Sequence, residues 1–205
     1  MPLYRQWQEP GLRQIAVWKI TEPEAFFTAA TGMQSNRKQE HRRLEHLAGR
    51  FLLQLLQPDI SVKDILVNPL GKPFHPHHSV RFSISHSYPY VAVAIHPSEE
   101  VGLDLQVITS KIERLQHKFL SAEEQYFTEG NPARITLAWT AKEAAFKWFG
   151  EGQIDFIRHM PITHMEVQGT QARMEMEFKR CQPSIPLFLP GGIEPDFTWA
   201  IAIPQ

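Results

Sequence analysis

The sequence predicts an α+β fold in two lobes, and three observations carry that reading. Helical and strand-like segments come mixed along the chain without a regular strand-helix-strand rhythm, which disfavours a doubly wound sheet. The strand-like segments are short, alternate apolar with polar residues, and are separated by Pro and Gly, as in antiparallel hairpins. Composition then shifts near residues 96–100, dividing the chain into 1–98 and 99–205.

The elements follow in order. Within residues 36–57, Leu44, Leu47, Ala48, Phe51 and Leu55 recur at helical spacing and define one apolar helix face. Residues 80–85 and 90–95 alternate on either side of a Tyr88-Pro89 turn and read as a hairpin. In 101–107, Val101, Leu103, Leu105 and Val107 point one way, while Gly102, Asp104 and Gln106 share the other face. A short helix is expected over 112–119. Ser121-Ala-Glu-Glu124 reads as the capping box of the next helix, which ends near Gly130. Pro132 opens a long helix ending at Phe149, with Ile135, Ala138, Phe146 and Phe149 on one stripe and Thr136, Thr140, Glu143 and Lys147 on the opposite one. Segments 165–167, 172–178, 185–189 and 197–203 complete an antiparallel sheet.

Composition narrows the function. The chain has 205 residues, 42% hydrophobic and 21% charged, which is ordinary globular usage. Lys plus Arg number 21 against 22 Asp plus Glu, a net charge of −1, and no basic stripe with interleaved aromatics occurs, so a nucleic-acid surface is disfavoured. The single cysteine, Cys181, forms no internal disulfide. The first residues lack a signal-peptide core and no apolar run reaches the ~18 residues of a membrane span, so a cytoplasmic protein with no membrane contact is expected.

Three segments carry chemistry: Phe82-Ser-Ile-Ser85-His86-Ser87, Val101-Gly-Leu-Asp104-Leu-Gln106, and Trp139-Thr-Ala-Lys142-Glu143-Ala-Ala-Phe-Lys147. Taken singly each has a plain explanation. Asp104 suits a solvated strand face, and Glu143 with Lys147 is an ordinary i, i+4 helix pair. Together they suit one task, with two carboxylates for Mg²⁺ and Lys142, Lys147 and His86 as donors toward phosphate oxygens. The run His75-Pro-His77-His78 reads as a solvated loop, and His41, His46, His159 and His164 as surface residues. Arg37, Lys38, Arg42, Arg43 and Arg50 give the first helix a basic face.

In order and spacing these segments resemble the signature motifs of the 4′-phosphopantetheinyl transferases of the monomeric, surfactin-synthetase-activator type. Gly71-Lys72-Pro73 and Lys118-Phe-Leu-Ser121-Ala-Glu-Glu124 are similar to two further family segments, so the likeness runs from about residue 37 to 150. The resemblance implies two similar pseudo-symmetric lobes, each an antiparallel sheet packed with helices, with the active site at the lobe interface. It implies Mg²⁺ on Asp104 and Glu143, with Gln106 standing where the family often has a second acidic residue. Coenzyme A would be held by Lys72, Pro73, Ser85, His86 and Lys147.

The implied reaction is that of a holo-[acyl-carrier-protein] synthase: the 4′-phosphopantetheine group moves from coenzyme A to a serine of an acyl or peptidyl carrier protein, of fatty acid, polyketide or nonribosomal peptide synthesis. Asp104, Glu143 and Lys147 are the expected catalytic residues, with Glu143 as the general base, directly or through a bound water. Phe119, Leu120 and Phe127 are candidates for carrier docking or for core packing. Both lobes fit in one chain, so a monomer is expected. The alternatives are a non-catalytic coenzyme A or nucleotide binder of the same fold, for which neutral Gln106 is the one hint, and a metal-dependent phosphatase.

Overall fold

The computed structural model describes residues 2–9, 11 and 13–205. The chain divides into two compact units, Met1–Val101 and Gly102–Gln205.

The first unit opens with β1 (Leu3–Glu9), β2 (Arg13–Lys19) and α1 (Glu24–Thr31). There follow α2 (Glu40–Leu56), the short pair β3 (Leu66–Val67) and β4 (Pro73–Phe74), then β5 (Arg81–Ser87) and β6 (Tyr90–His96). Its main sheet is antiparallel in the order β1-β2-β6-β5. β6 is buried along its whole length, because α2 packs on it and β2 and β5 flank it. Leu47, Ala48, Leu52 and Leu53 of α2 meet Val91, Val93 and Ile95 in the core. Gly49 allows the close approach: a Cβ there would stand 2.9 Å from Ile84.

The second unit contains β7 (Gly102–Val107), α3 (Ala122–Thr128), α4 (Pro132–Phe149), α5 (Phe156–His159), β8 (Ile162–Gln168), β9 (Gln171–Phe178), β10 (Ile185–Ile193) and β11 (Phe197–Pro204). Its strands form one antiparallel sheet in the order β7-β11-β10-β9-β8. The core consists of Leu137, Ala138, Ala141, Ala144 and Ala145 of α4 against Met174, Met176, Leu187, Leu189, Ala200 and Ala202 of the sheet. A run of alanines keeps the helix near the strands, and Asn131 caps its first turn by accepting from the Ala133 and Arg134 amides.

The structure corrects several expectations. The first long helix begins at Glu40, and its buried surface is wider than one stripe: Gly49, Leu52, Leu53 and Leu56 are covered, whereas Leu55 is 47% exposed. The reason is α1, which packs beside α2 in addition to the sheet, through Phe26 and Phe27 on Phe51. The segment read as one helix over 112–119 is two turns of 3₁₀ helix, Ser110–Arg114 and Gln116–Lys118. On the polar face of β7, Gly102 and Asp104 are buried under α4, and Thr136 and Thr140 of that helix are buried in turn, the Thr140 and Thr198 hydroxyls meeting at 2.7 Å. Strands β1 and β2 and helices α1 and α5 carried no periodic signal long enough to assign.

The packing of α4 on β7 depends on Gly102. A Cβ there would lie 2.0 Å from the Ala144 carbonyl oxygen and 2.4 Å from the Trp148 amide nitrogen, both rigid helix backbone. Gly102→Ala is therefore expected to push α4 off β7 and cost about 1–3 kcal/mol or more. A thermal melt equal to that of the wild type would show that the contact is not tight.

Candidate functional site

Asp104 sits at the middle of β7, 6% exposed, opposite Ala200 of β11. Its Oδ1 accepts from Lys147 Nζ at 2.6 Å. Glu143 lies one turn before Lys147 on the same face of α4. Burial pushes the Glu143 carboxyl up to about 7, the Asp104 charge adds to the rise, and Lys147 opposes it. The Asp104 and Glu143 carboxylates thus feel each other across β7 and α4, with the Lys147 ammonium bonded to Asp104. Gln106 follows on the strand face of Asp104, opposite Thr198.

This donor set suits a hard divalent cation. Among the described residues no cluster of three or more His, Cys, Asp or Glu side chains would hold a metal alone. Mg²⁺ does not need one, since it takes one or two carboxylates and fills its octahedron with water and phosphate oxygens. The repulsion that raises Glu143 is the kind that a cation between two carboxylates removes.

Lys142 does not act as a phosphate donor. It is fully buried, and its Nζ bonds Glu124 Oε1 at 2.5 Å, the Phe119 carbonyl at 2.7 Å and the Phe156 carbonyl at 2.9 Å. Three acceptors use all three of its protons. Glu124 in turn accepts the Ser121 amide in the capping box and the Ile162 amide of β8. A position 100° from Glu143 on the helix points into the core instead of toward a ligand. Phe119 and Leu120, candidates for docking, are core residues. Phe119 packs edge-on against Trp139, which also meets Phe156, at an open groove of about 480 Å³. Leu115, an exposed apolar side chain, also lines that groove.

In the first unit, Ser85 is buried on β5 opposite Ala92, and His86 follows it. His86 Nδ1 lies 3.3 Å from Glu45 Oε2 of α2. Lys72 and Pro73 lie at the short β3-β4 pair, where Pro73 stands opposite Val67. Lys72 Nζ bonds Glu100 at 2.6 Å, and Arg81 Nε stands 3.3 Å from the same carboxylate. With Phe74 and Phe82 these groups line a cavity of about 280 Å³.

The structure also gathers residues that the basic-face reading misplaced. Arg50 is 9% exposed and its Nε has no hydrogen-bond partner. Burial lowers its pKa to about 10, and Arg37 adds to the effect. His46, taken for a surface residue, has a buried Nδ1 without a partner, and burial together with Arg50, Arg37 and His86 drives its pKa to about 4. Arg50, a buried cation with an unused donor beside the charge of Arg37, calls for an anion, while His46 stays neutral near pH 7. The signal available in the sequence was an arginine three residues after core Leu47, next to the apolar run Phe51-Leu-Leu that continues the helix.

Residues 100–201 match the family model of the 4′-phosphopantetheinyl transferase superfamily. No curated protein matches the chain. The matched segment holds Asp104, Gln106, Glu143 and Lys147, and supports phosphopantetheine transfer as the general reaction of this unit. Lys72, Pro73, Ser85 and His86 precede it.

Proposed function

We propose that this chain transfers the 4′-phosphopantetheine group of coenzyme A to a serine of an acyl or peptidyl carrier protein, as a Mg²⁺-dependent, monomeric, cytoplasmic enzyme of the surfactin-synthetase-activator type. The observation that carries the reading is the Asp104, Glu143 and Lys147 group within the segment matching the superfamily. The shared plan of a helix laid on an antiparallel sheet supports reading the two units as two versions of one lobe.

Asp104 and Glu143, with Gln106 beside them, would hold the cation, which supplies positive charge for the coenzyme's diphosphate. Lys147 adds fixed charge for the leaving group. Glu143 is the carboxylate suited to take the proton of the incoming hydroxyl, directly or through a water. The carrier serine Oγ attacks the phosphorus that bears the pantetheine arm, and its proton passes to Glu143. The bond from that phosphorus to the bridging oxygen breaks, and the electron pair leaves with adenosine 3′,5′-bisphosphate. From the first unit, His86, Ser85, Lys72 and Pro73 serve the coenzyme, and Arg50, whose buried Nε has no partner, suits one of its phosphates.

Intact-mass spectrometry of a panel of apo carrier proteins, incubated with this protein, coenzyme A and Mg²⁺, tests the reading. A gain of one phosphopantetheine arm that chelator removes is the expected result. No gain across a diverse panel while coenzyme A still binds would indicate a non-catalytic binder. Release of inorganic phosphate without any carrier would indicate a phosphatase.

No helix among the described residues is long and apolar enough to cross a membrane.

A further inference from the structure

Glu45 is a carboxylate in a place where charge is costly. It is 2% exposed, on α2, and nothing in the transferase reading uses it. Its surroundings are made of donors. Oε1 accepts the Tyr88 amide at 3.0 Å, while Oε2 lies 3.1 Å from Arg42 Nη1 and 3.3 Å from His86 Nδ1. Burial works against its ionisation, yet His86, Arg42 and the Tyr88 amide together hold its carboxyl below the ordinary value. Glu45 is therefore an anion set directly beneath a histidine whose side chain is 36% exposed.

The rest of the neighbourhood is positive. The charge of Arg37 acts on Arg50, both act on His46, and His86 adds to the pressure on His46. Without Glu45, a charged His86 would stand among cations with no opposing charge. A carboxylate on Nδ1 also decides which nitrogen meets a ligand. It fixes a proton on Nδ1 and the plane of the ring, so a phosphate contact falls to Nε2, which carries the second proton when the ring is charged.

We propose that Glu45 is a positioning residue that, through His86 Nδ1, orients the imidazole so that Nε2 donates to a phosphate oxygen of the bound ligand. The proposal rests on the reading above in which His86 contacts the coenzyme's phosphates. Tyr88 gives Glu45 a structural duty as well, since its amide ties the β5-β6 turn to α2. The test must separate the two.

Two measurements do so. Long-range ¹H–¹⁵N correlation of the His86 ring in the ligand-free protein reads the tautomer directly. Nδ1 is expected to be protonated in the wild type, with that preference lost in Glu45→Gln. A wild-type ring protonated on Nε2 alone would overturn the proposal, whatever reaction the protein catalyses. The second measurement is a double-mutant cycle read by calorimetry with adenosine 3′,5′-bisphosphate and, separately, with inorganic diphosphate. Glu45→Gln should weaken binding about 10-fold in the wild-type background, and by less than about twofold when His86 is already alanine. An equal loss in both backgrounds would mean that Glu45 acts through the turn and not through His86, and would overturn the proposal.

Gln keeps an acceptor for the Tyr88 amide, which favours a folded variant. If Glu45→Gln fails to fold, the tautomer of the His86 ring in the wild-type protein still decides, since a ring protonated on Nε2 alone overturns the proposal without any variant. Failure of the nucleotide to bind the wild type, with the diphosphate cycle still coupled, would count against the transferase reading and for the Glu45–His86 device.

Discussion

Glu143→Gln is expected to lower phosphopantetheine transfer by about 100-fold or more while making the metal-free protein more stable at pH 8. Both effects have one origin. In the folded protein the Glu143 carboxyl is pushed up from 4.5 to about 7, by burial first and by the Asp104 charge second. The folded state therefore binds a proton more tightly than the unfolded state, so stability falls as pH rises from about 4.5 through 7. Above that window the wild type carries the full cost of a buried anion near another. Glutamine has nearly the same shape and no charge, so it escapes that cost. The gain should be about 1–2 kcal/mol after allowance for the side chain's remaining contact with water, or roughly 3–6 °C in melting temperature.

Melting curves at pH 4.5 and pH 8, with and without Mg²⁺, check each step. The two proteins should converge at pH 4.5, where Glu143 is protonated when folded and half protonated when unfolded. At pH 8, Mg²⁺ should raise the wild type toward the variant, because a cation between Asp104 and Glu143 removes the repulsion. A variant that is less stable than the wild type at pH 8 would mean that Glu143 is held by favourable contacts, and the assignment of a strained carboxylate pair would fail. Retained transfer would show that Glu143 is neither the base nor a metal ligand.

Asp104, Glu143 and Lys147 were legible in the sequence because their placement follows from local periodicity. Alternation puts Asp104 and Gln106 on one strand face, and a four-residue step puts Glu143 and Lys147 on one helix face. The 2.6 Å contact between Lys147 and Asp104 needs a third fact, the lack of a side chain at Gly102, which lets α4 lie on β7. Periodicity did not reveal which faces would be covered. Thr136 and Thr140 looked like a polar stripe, yet they are buried, because threonine can return its hydroxyl bond to the helix carbonyl four residues back, as Thr140 does to Thr136. Arg50, Glu45 and His46 looked like parts of a solvated face for the same reason. A charge pattern on one helix does not tell whether α1 or a sheet covers it.

Lys142 is the sharpest case, since its neighbour in the chain is Glu143 and its role is different in kind. Lys142→Met should cost about 3–5 kcal/mol, a fall in melting temperature of roughly 10 °C, with little change in affinity for coenzyme A at temperatures where the variant stays folded. The cost arises because Glu124, 3% exposed at its side chain, would keep its charge in the core with only the Ser121 and Ile162 amides to offset it. The Phe119 and Phe156 carbonyls would also lose their donor. If Lys142 instead met a phosphate, the outcome would reverse: weaker coenzyme binding and an unchanged melt. The double variant Lys142→Met with Glu124→Gln separates the stranded charge from the lost bonds. Neutralising Glu124 should recover part of the stability even though it removes a charge-assisted acceptor, because an unpaired buried anion costs more than a buried amide that keeps one acceptor. A double variant no more stable than Lys142→Met alone would place the whole cost in the two carbonyls, and α4 would then be anchored by those bonds and not by the ion pair.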